Sequence, residues 1–162
     1  MDVIVPLVFR FIAYVMFGLC LEMLFSVHNI DIALGHKVKR RVPFKYLEGF
    51  VSLYMIPLHG LGLLFLFEPV YPLIAKWNIV FRFFIWGISF SIAETIWGFF
   101  LHKTIGFYTW DYYKDSKFKV FKNGYTMWTL VPMWGVAGII IEQYSKLIIY
   151  LSPHVERYLN GL

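Results

Sequence analysis

The chain has 162 residues, 59% of them hydrophobic, 21% aromatic and only 15% charged, with a formal net charge of +5. A soluble domain averages about 25% charged and 45–50% apolar residues, whereas the apolar residues here gather into four runs near or above the roughly 20 that span a bilayer. This excludes an ordinary soluble domain. The placing of the cations in two loops beside apolar runs reads as membrane topology and excludes a nucleic-acid footprint.

The expected fold is all-α and integral to a membrane: a bundle of four transmembrane helices in one polytopic domain, residues 1–162. The spans fall near residues 3–25, 47–67, 78–101 and 127–151, with an aromatic and basic loop between the third and fourth. A greasy soluble bundle would need polar helix faces that these runs lack. The single cysteine, Cys20, excludes an internal disulfide. The start Met1-Asp2-Val3 has no positive segment and the first run is long, so it reads as a retained helix and not a cleaved signal.

Along the first run, Arg10, Tyr14, Gly18, Glu22 and Ser26 lie four apart and form one slowly turning ridge. Ionisable residues inside a span are costly unless they face protein or water. Arg10 could instead snorkel to the nearer interface, and Glu22 could be an interfacial anchor. A polar link follows, with His36-Lys37-Val38-Lys39-Arg40-Arg41 and Lys45 as a cytoplasmic topology signal and a contact for anionic headgroups.

The second run places Ser52, His59 and Gly62 on one face. His59 sits near mid-membrane beside Pro57, which removes a backbone donor and predicts a kink. Glu68-Pro69-Val70-Tyr71-Pro72 reads as the turn that ends this run. In the third run Gly87, Ser91, Glu94 and Gly98 share one narrow face at about 100° per residue, and everything else is large and apolar. Such a face lets a neighbouring helix approach a buried acid. Arg82, near the start of this run, could again snorkel.

The loop from His102 to about Thr126 carries Trp110-Asp111-Tyr112 and several lysines. It reads either as an interfacial aromatic belt or as a lid over the polar faces. Asn123-Gly124 signals a turn. In the fourth run Gly135, Gly138 and Glu142 share a face, one turn from Pro132-Met133-Trp134. The tail from Ser152 reads as short, amphipathic and interfacial.

With four spans the two long loops share one side, which collects ten of the fifteen lysines and arginines. The positive-inside rule places these loops in the cytoplasm and both termini outside, in a bacterial inner membrane or a eukaryotic endomembrane or plasma membrane. Helical rise places Arg10, Arg82 and Glu142 in the outer half, His59 near the middle, and Glu22 and Glu94 in the inner half. Glu142 is expected to pair with a cation, Arg10 in preference to Arg82.

No phosphate-binding glycine loop, Gly-x-Ser-x-Gly, His-Glu-x-x-His or cysteine pair is present, so no metal or other cofactor is expected. Glu22, His59, Glu94 and Glu142 are the candidate catalytic, proton-handling groups. Arg10, Arg82, Trp97, Trp110, Asp111, Tyr112 and Trp134 are candidate substrate contacts. Buried acids that exchange protons suit a carrier, or an enzyme doing acid/base chemistry on a lipid or isoprenoid. They could equally hold a structural subunit together.

Glu22, Glu94 with Trp97-Gly98-Phe99, Trp110-Asp111-Tyr112, Gly124, Pro132, Trp134, Gly138 and Glu142-Gln143 together carry a resemblance. The chain resembles small bacterial membrane proteins described as type IV ABC-transporter proteins, and their animal relatives called transmembrane protein 229. The resemblance is most specific from Glu94 to Glu142. It implies a multi-pass membrane location and a permease role, and carries over no catalytic residue. The permease reading implies a homo-oligomer or a partner subunit, because four helices alone hardly enclose a water-filled path; the enzyme reading needs only a lipid-accessible cleft.

Overall fold

The computed structural model describes residues 4–39 and 42–161. Met1-Asp2-Val3, Arg40, Arg41 and Leu162 lie outside the described residues, and with them the expected chain start and two cations of the first basic loop. The helices are α1 (Ile4–His28), the short α2 (Ile30–Leu34), a second long helix over Leu53–Ile74, α4 (Ile79–Ile105) and α5 (Leu130–Leu159). The second long helix joins a 3-10 turn (Leu53–Met55), a π-helical stretch (Leu58–Phe67) and α3 (Glu68–Ile74). Ile4–His28, Leu53–Ile74 and Ile79–Ile105 are long and apolar enough to cross a membrane. The chain is thus all-α and multi-pass. Among the described residues three helices meet that standard, where the sequence pattern predicts four spans. The 30-residue α5 is the longest helix, but Glu142, Gln143, Ser145 and Lys146 interrupt its apolar character.

The fold is apolar on the outside. Along α4, Phe81, Phe84, Ile88, Ile92, Ile96 and Phe99 are exposed, while Gly87, Ser91, Glu94 and Gly98 are buried. The helix starts where the Asn78 side chain accepts the Val80 N–H at 2.9 Å, and it ends at Gly106, whose φ of 83° suits a residue without a Cβ. Its small face packs antiparallel on α5. A Cβ at Gly87 would lie 2.5 Å from the Val131 carbonyl oxygen, and Gly135 and Gly138 make room for Phe83 and Trp86. Helix association in lipid rests on this kind of close approach. The Ser91 hydroxyl stays on its own helix, donating to the Gly87 carbonyl at 2.8 Å.

On the other side α1 packs against the second helix by a reciprocal exchange. Gly18 of α1 receives the His59 ring, and Gly60 receives Phe11. α1 also meets α5: the Tyr144 hydroxyl donates to the Ala13 carbonyl at 3.0 Å, and Tyr144 stacks on Phe17 at 4.0 Å. The second helix packs along α1, whereas it meets the α4 and α5 backbones at most at isolated points. Large side chains cross that gap. Phe67 stacks on Trp86 at 4.3 Å, and Trp97 Nε1 donates to the Tyr54 carbonyl at 3.0 Å.

The second helix differs from its sequence expectation at both ends. It begins at Leu53 and not near 47, because residues 47–52 form an irregular segment tied to the end of α1, with the Phe50 N–H donating to Ser26 Oγ at 2.8 Å. It also does not stop at Glu68. The winding changes there, which puts Pro69 in the first turn of α3, where a missing N–H is tolerated; Pro72 lies inside the same helix. The later start moves His59 from mid-span toward the end shared with Glu22. α5 likewise continues through Pro153 to Leu159, so residues 152–159 extend the helix and form no separate tail.

The segment between α4 and α5 is a folded lid. Its Asn123-Gly124 turn, with Gly124 at φ 68°, returns the chain so that the Val120 N–H donates to the Thr126 carbonyl and the Trp128 N–H to the Phe118 carbonyl, both at 3.1 Å. Ser116 Oγ donates to the Leu34 carbonyl at 2.9 Å and Thr129 Oγ1 to the Ala33 carbonyl at 2.7 Å. These bonds bring both long loops together at one end of the bundle. Trp110, Tyr113, Tyr125 and Met127 are buried against Ile30, Leu34, Leu101 and Leu130.

Gly98 lies directly under this lid: a Cβ there would sit 2.9 Å from the Trp110 ring. Its neighbour is thus the lid and not the packing helix. Gly98→Leu is expected to cost about 1–3 kcal/mol by overpacking, while Phe99→Leu, at a position 51% exposed, changes little. Thermal unfolding in detergent compares the two, and equal melting would remove Gly98 from the buried face.

Candidate functional site

Two ion-pair networks close one end of the bundle. Arg82 Nη1 donates to Glu142 Oε2 at 2.7 Å and Trp86 Nε1 to Glu142 Oε1 at 2.7 Å, so both oxygens of a fully buried carboxylate are occupied. Arg10 Nη1 donates to Glu68 Oε2 and the Tyr14 hydroxyl to Glu68 Oε1, both at 2.6 Å; the Tyr14 oxygen lies 2.8 Å from Ser145 Oγ. The expected Arg10 partner for Glu142 is therefore corrected to Arg82. Arg82 stands on α4, the helix packed closest along α5, while Arg10 faces the end of the second helix and finds Glu68. Glu68 is the ionisable residue that sequence reasoning missed, since its two following prolines signal a turn. The available signal was depth: it closes an apolar run on the side where Arg10 opens one.

Between the second helix and the α4–α5 pair lies a cavity of about 850 Å³. Its wall is mostly apolar and holds three ionisable groups of the bundle, Glu22 from α1, His59 from the second helix and Glu94 from α4. His59 Nε2 lies 3.3 Å from Glu22 Oε1, within ion-pair reach but outside hydrogen-bond geometry. Glu94 is only 4% exposed. Its Oε2 accepts from Thr126 Oγ1 at 2.6 Å and from Trp134 Nε1 at 3.5 Å, and the Tyr113 phenol faces it from the lid. These donors are neutral, and among the described residues no arginine, lysine or histidine pairs with Glu94. Burial pushes the Tyr112 and Tyr113 phenols up, and nearby carboxylates add to the shift, so both stay neutral donors. The mouth of the cavity reaches the outer surface, where the lining residues Leu66, Val136 and Ile140 are exposed.

The structure gathers Glu22, His59, Glu94, Trp110, Tyr112 and Trp134 around this one space. It places Arg10, Arg82 and Glu142 outside the wall, in the networks above. Trp97 bridges to Tyr54, and Asp111 points outward, 3.2 Å from Lys114 in an exposed pair. An apolar chamber of this size with a few converging polar groups is the form taken by small-molecule sites.

Residues 9–160 match the family described as "Putative ABC-transporter type IV". No curated protein and no solved structure matches the chain, so the kinship with the animal proteins has no support from these comparisons.

Proposed function

We propose that this chain, which belongs to the type IV ABC-transporter family matched over residues 9–160, is a permease-like component that takes a small, lipid-like molecule into the cavity and exchanges a proton at Glu94. The state of Glu94 carries this reading. Glu68 and Glu142 each have an arginine, while Glu94 is equally enclosed, bonded by neutral donors alone, and set in the wall of an apolar chamber. A carboxyl so placed can change its protonation without breaking an ion pair that holds the helices. Lipid-like substrate would enter from the side, past Leu66, Val136 and Ile140. α5, antiparallel to α4 along its length, would then serve as the fourth span.

Native mass spectrometry from mild detergent tests this. The wild type should retain an apolar ligand that Gly62→Leu excludes. Gly62 lines the cavity, and its added Cβ would meet only Leu58, at an ordinary 3.7 Å, so the variant fills space without breaking the bundle. Retention by both proteins would remove the cavity as the binding site. The Glu22–His59 pair facing Glu94 would also suit acid/base chemistry on a lipid. That reading requires the released molecule to be chemically altered, which the same spectra show. The subunit count seen there decides between a homo-oligomer and a lone chain.

The loops support one orientation. Lys37, Lys39, Lys45, Lys114, Lys117, Lys119 and Lys122 are exposed on the end where α2 meets the lid, and would face anionic headgroups in the cytoplasmic leaflet. A reporter that works only outside the cytoplasm should be active when fused at the C-terminus and silent at position 115. The opposite pattern would invert the bundle.

A further inference from the structure

The cavity has a charge character as well as a size. Among the described residues its wall holds two carboxyl groups, Glu22 and Glu94, and no lysine or arginine. The two arginines inside the bundle are spent elsewhere, Arg10 on Glu68 and Arg82 on Glu142. The histidine in the wall, His59, lies against Glu22 and could offset that acid, but it leaves Glu94 without a cation. The remaining wall is rich in aromatic rings: Phe67 and Phe90 stack on Trp86, and Trp110 and Trp134 line the wall nearer the lid and α5.

Each part of this favours the same ligand charge. Aromatic faces attract a cation through their quadrupole, more strongly once water is removed. A carboxylate in an apolar chamber needs a cation or a proton. An anionic lipid would meet two acids and no fixed positive group, and would lose its hydration with nothing in return. A neutral lipid would fill the space but leave Glu94 unengaged.

Building on the reading of the cavity as a ligand site, we propose that its ligand is a monovalent hydrophobic cation, such as a lipophilic amine or quaternary ammonium compound. Its charge lies between Glu94 and the aromatic part of the wall, and its apolar body fills the space toward Leu66 and Ile140. Entry of the cation exchanges for the proton that Glu94 carries in the empty cavity, so the site stays near neutrality throughout.

A pair of probes alike in shape and opposite in charge tests this: tetraphenylphosphonium and tetraphenylborate. Binding to the purified full chain in neutral detergent is measured by calorimetry against detergent alone. Tetraphenylphosphonium should bind saturably and tetraphenylborate should not. Glu94→Gln should weaken the cation at least tenfold, Glu22→Gln should weaken it to a lesser degree, and Glu94→Asp should retain most of the affinity. Unfolding curves for each variant show that the fold is kept. If both ions bind equally and Gly62→Leu blocks both, the cavity stands as a ligand site and the cation assignment is wrong. If Gly62→Leu leaves saturable binding intact, the cavity itself is the wrong site and the assignment falls with it. If neither probe binds saturably, the cation assignment is wrong, and ligand retention in the native spectra decides separately whether the cavity is a site.

Discussion

Arg82→Leu will destabilise the bundle by about 3–5 kcal/mol, seen as a large drop in the melting temperature of the protein in detergent. Glu142 is fully buried, and Arg82 is the one cation bonded to it among the described residues. Removing the guanidinium leaves a carboxylate in a low-dielectric interior with only the Trp86 N–H to satisfy it. Adding Glu142→Gln to that variant should recover most of the loss, since the amide still accepts from Trp86 and no charge remains to solvate. Arg10→Leu should cost less, because Glu68 keeps the Tyr14 hydroxyl and is 11% exposed. Equal losses for the two arginines, or no recovery in the double variant, would mean that Glu142 is not held by Arg82.

Glu94→Gln is expected to show the reverse profile, with the fold kept and the proton exchange gone. The amide oxygen can still accept from Thr126 and Trp134, and no ion pair is broken, so the melting temperature should stay within a few degrees of wild type, about 1 kcal/mol or less. With a pH-sensitive dye in weakly buffered detergent, adding tetraphenylphosphonium to the wild type should release protons in step with binding. The glutamine variant should release none. Glu94 is faced by Thr126 and Tyr113 from the lid segment, Trp134 on α5 and Glu22 on α1, and Tyr112 and His59 line the same cavity. His59→Gln is therefore the control, and proton release that vanishes in that variant but persists in Glu94→Gln would transfer the exchange to the Glu22–His59 pair.

Much of the layout was legible before any coordinates, and the reason is helical periodicity. Gly87, Ser91, Glu94 and Gly98 stand out because they are the small and polar positions on an otherwise bulky helix, and all four are buried. The ridge from Arg10 to Ser26 was legible for the same reason, and each member either is buried or makes a charged contact. Periodicity gives the face of a helix but not which helix lies opposite, so the choice between Arg10 and Arg82 for Glu142 could not be read. Propensity misled at Pro69 and Pro72. In water two prolines in four residues end a helix, but here the change of winding at Glu68 makes room for the first of them. The lid was legible as a group of aromatics. That Trp110 and Tyr112 turn inward while Asp111 turns out depends on one 3-10 turn, Asp111–Asp115, which pattern alone does not specify.

The π-helical stretch Leu58–Phe67 carries a consequence for the cavity. Neighbouring helices normally mesh by setting the rows of side chains on one, three or four residues apart, into the furrows of the other. Ten residues bonded to the fifth neighbour present rows of a different pitch. Against α1 the mismatch is bridged by the paired exchange in which Gly18 receives the His59 ring and Gly60 receives Phe11. Toward α4 and α5 the stretch instead turns Gly62, Leu63 and Leu66 to the empty space, and rewinding it would change the spacing of the side chains that line the chamber.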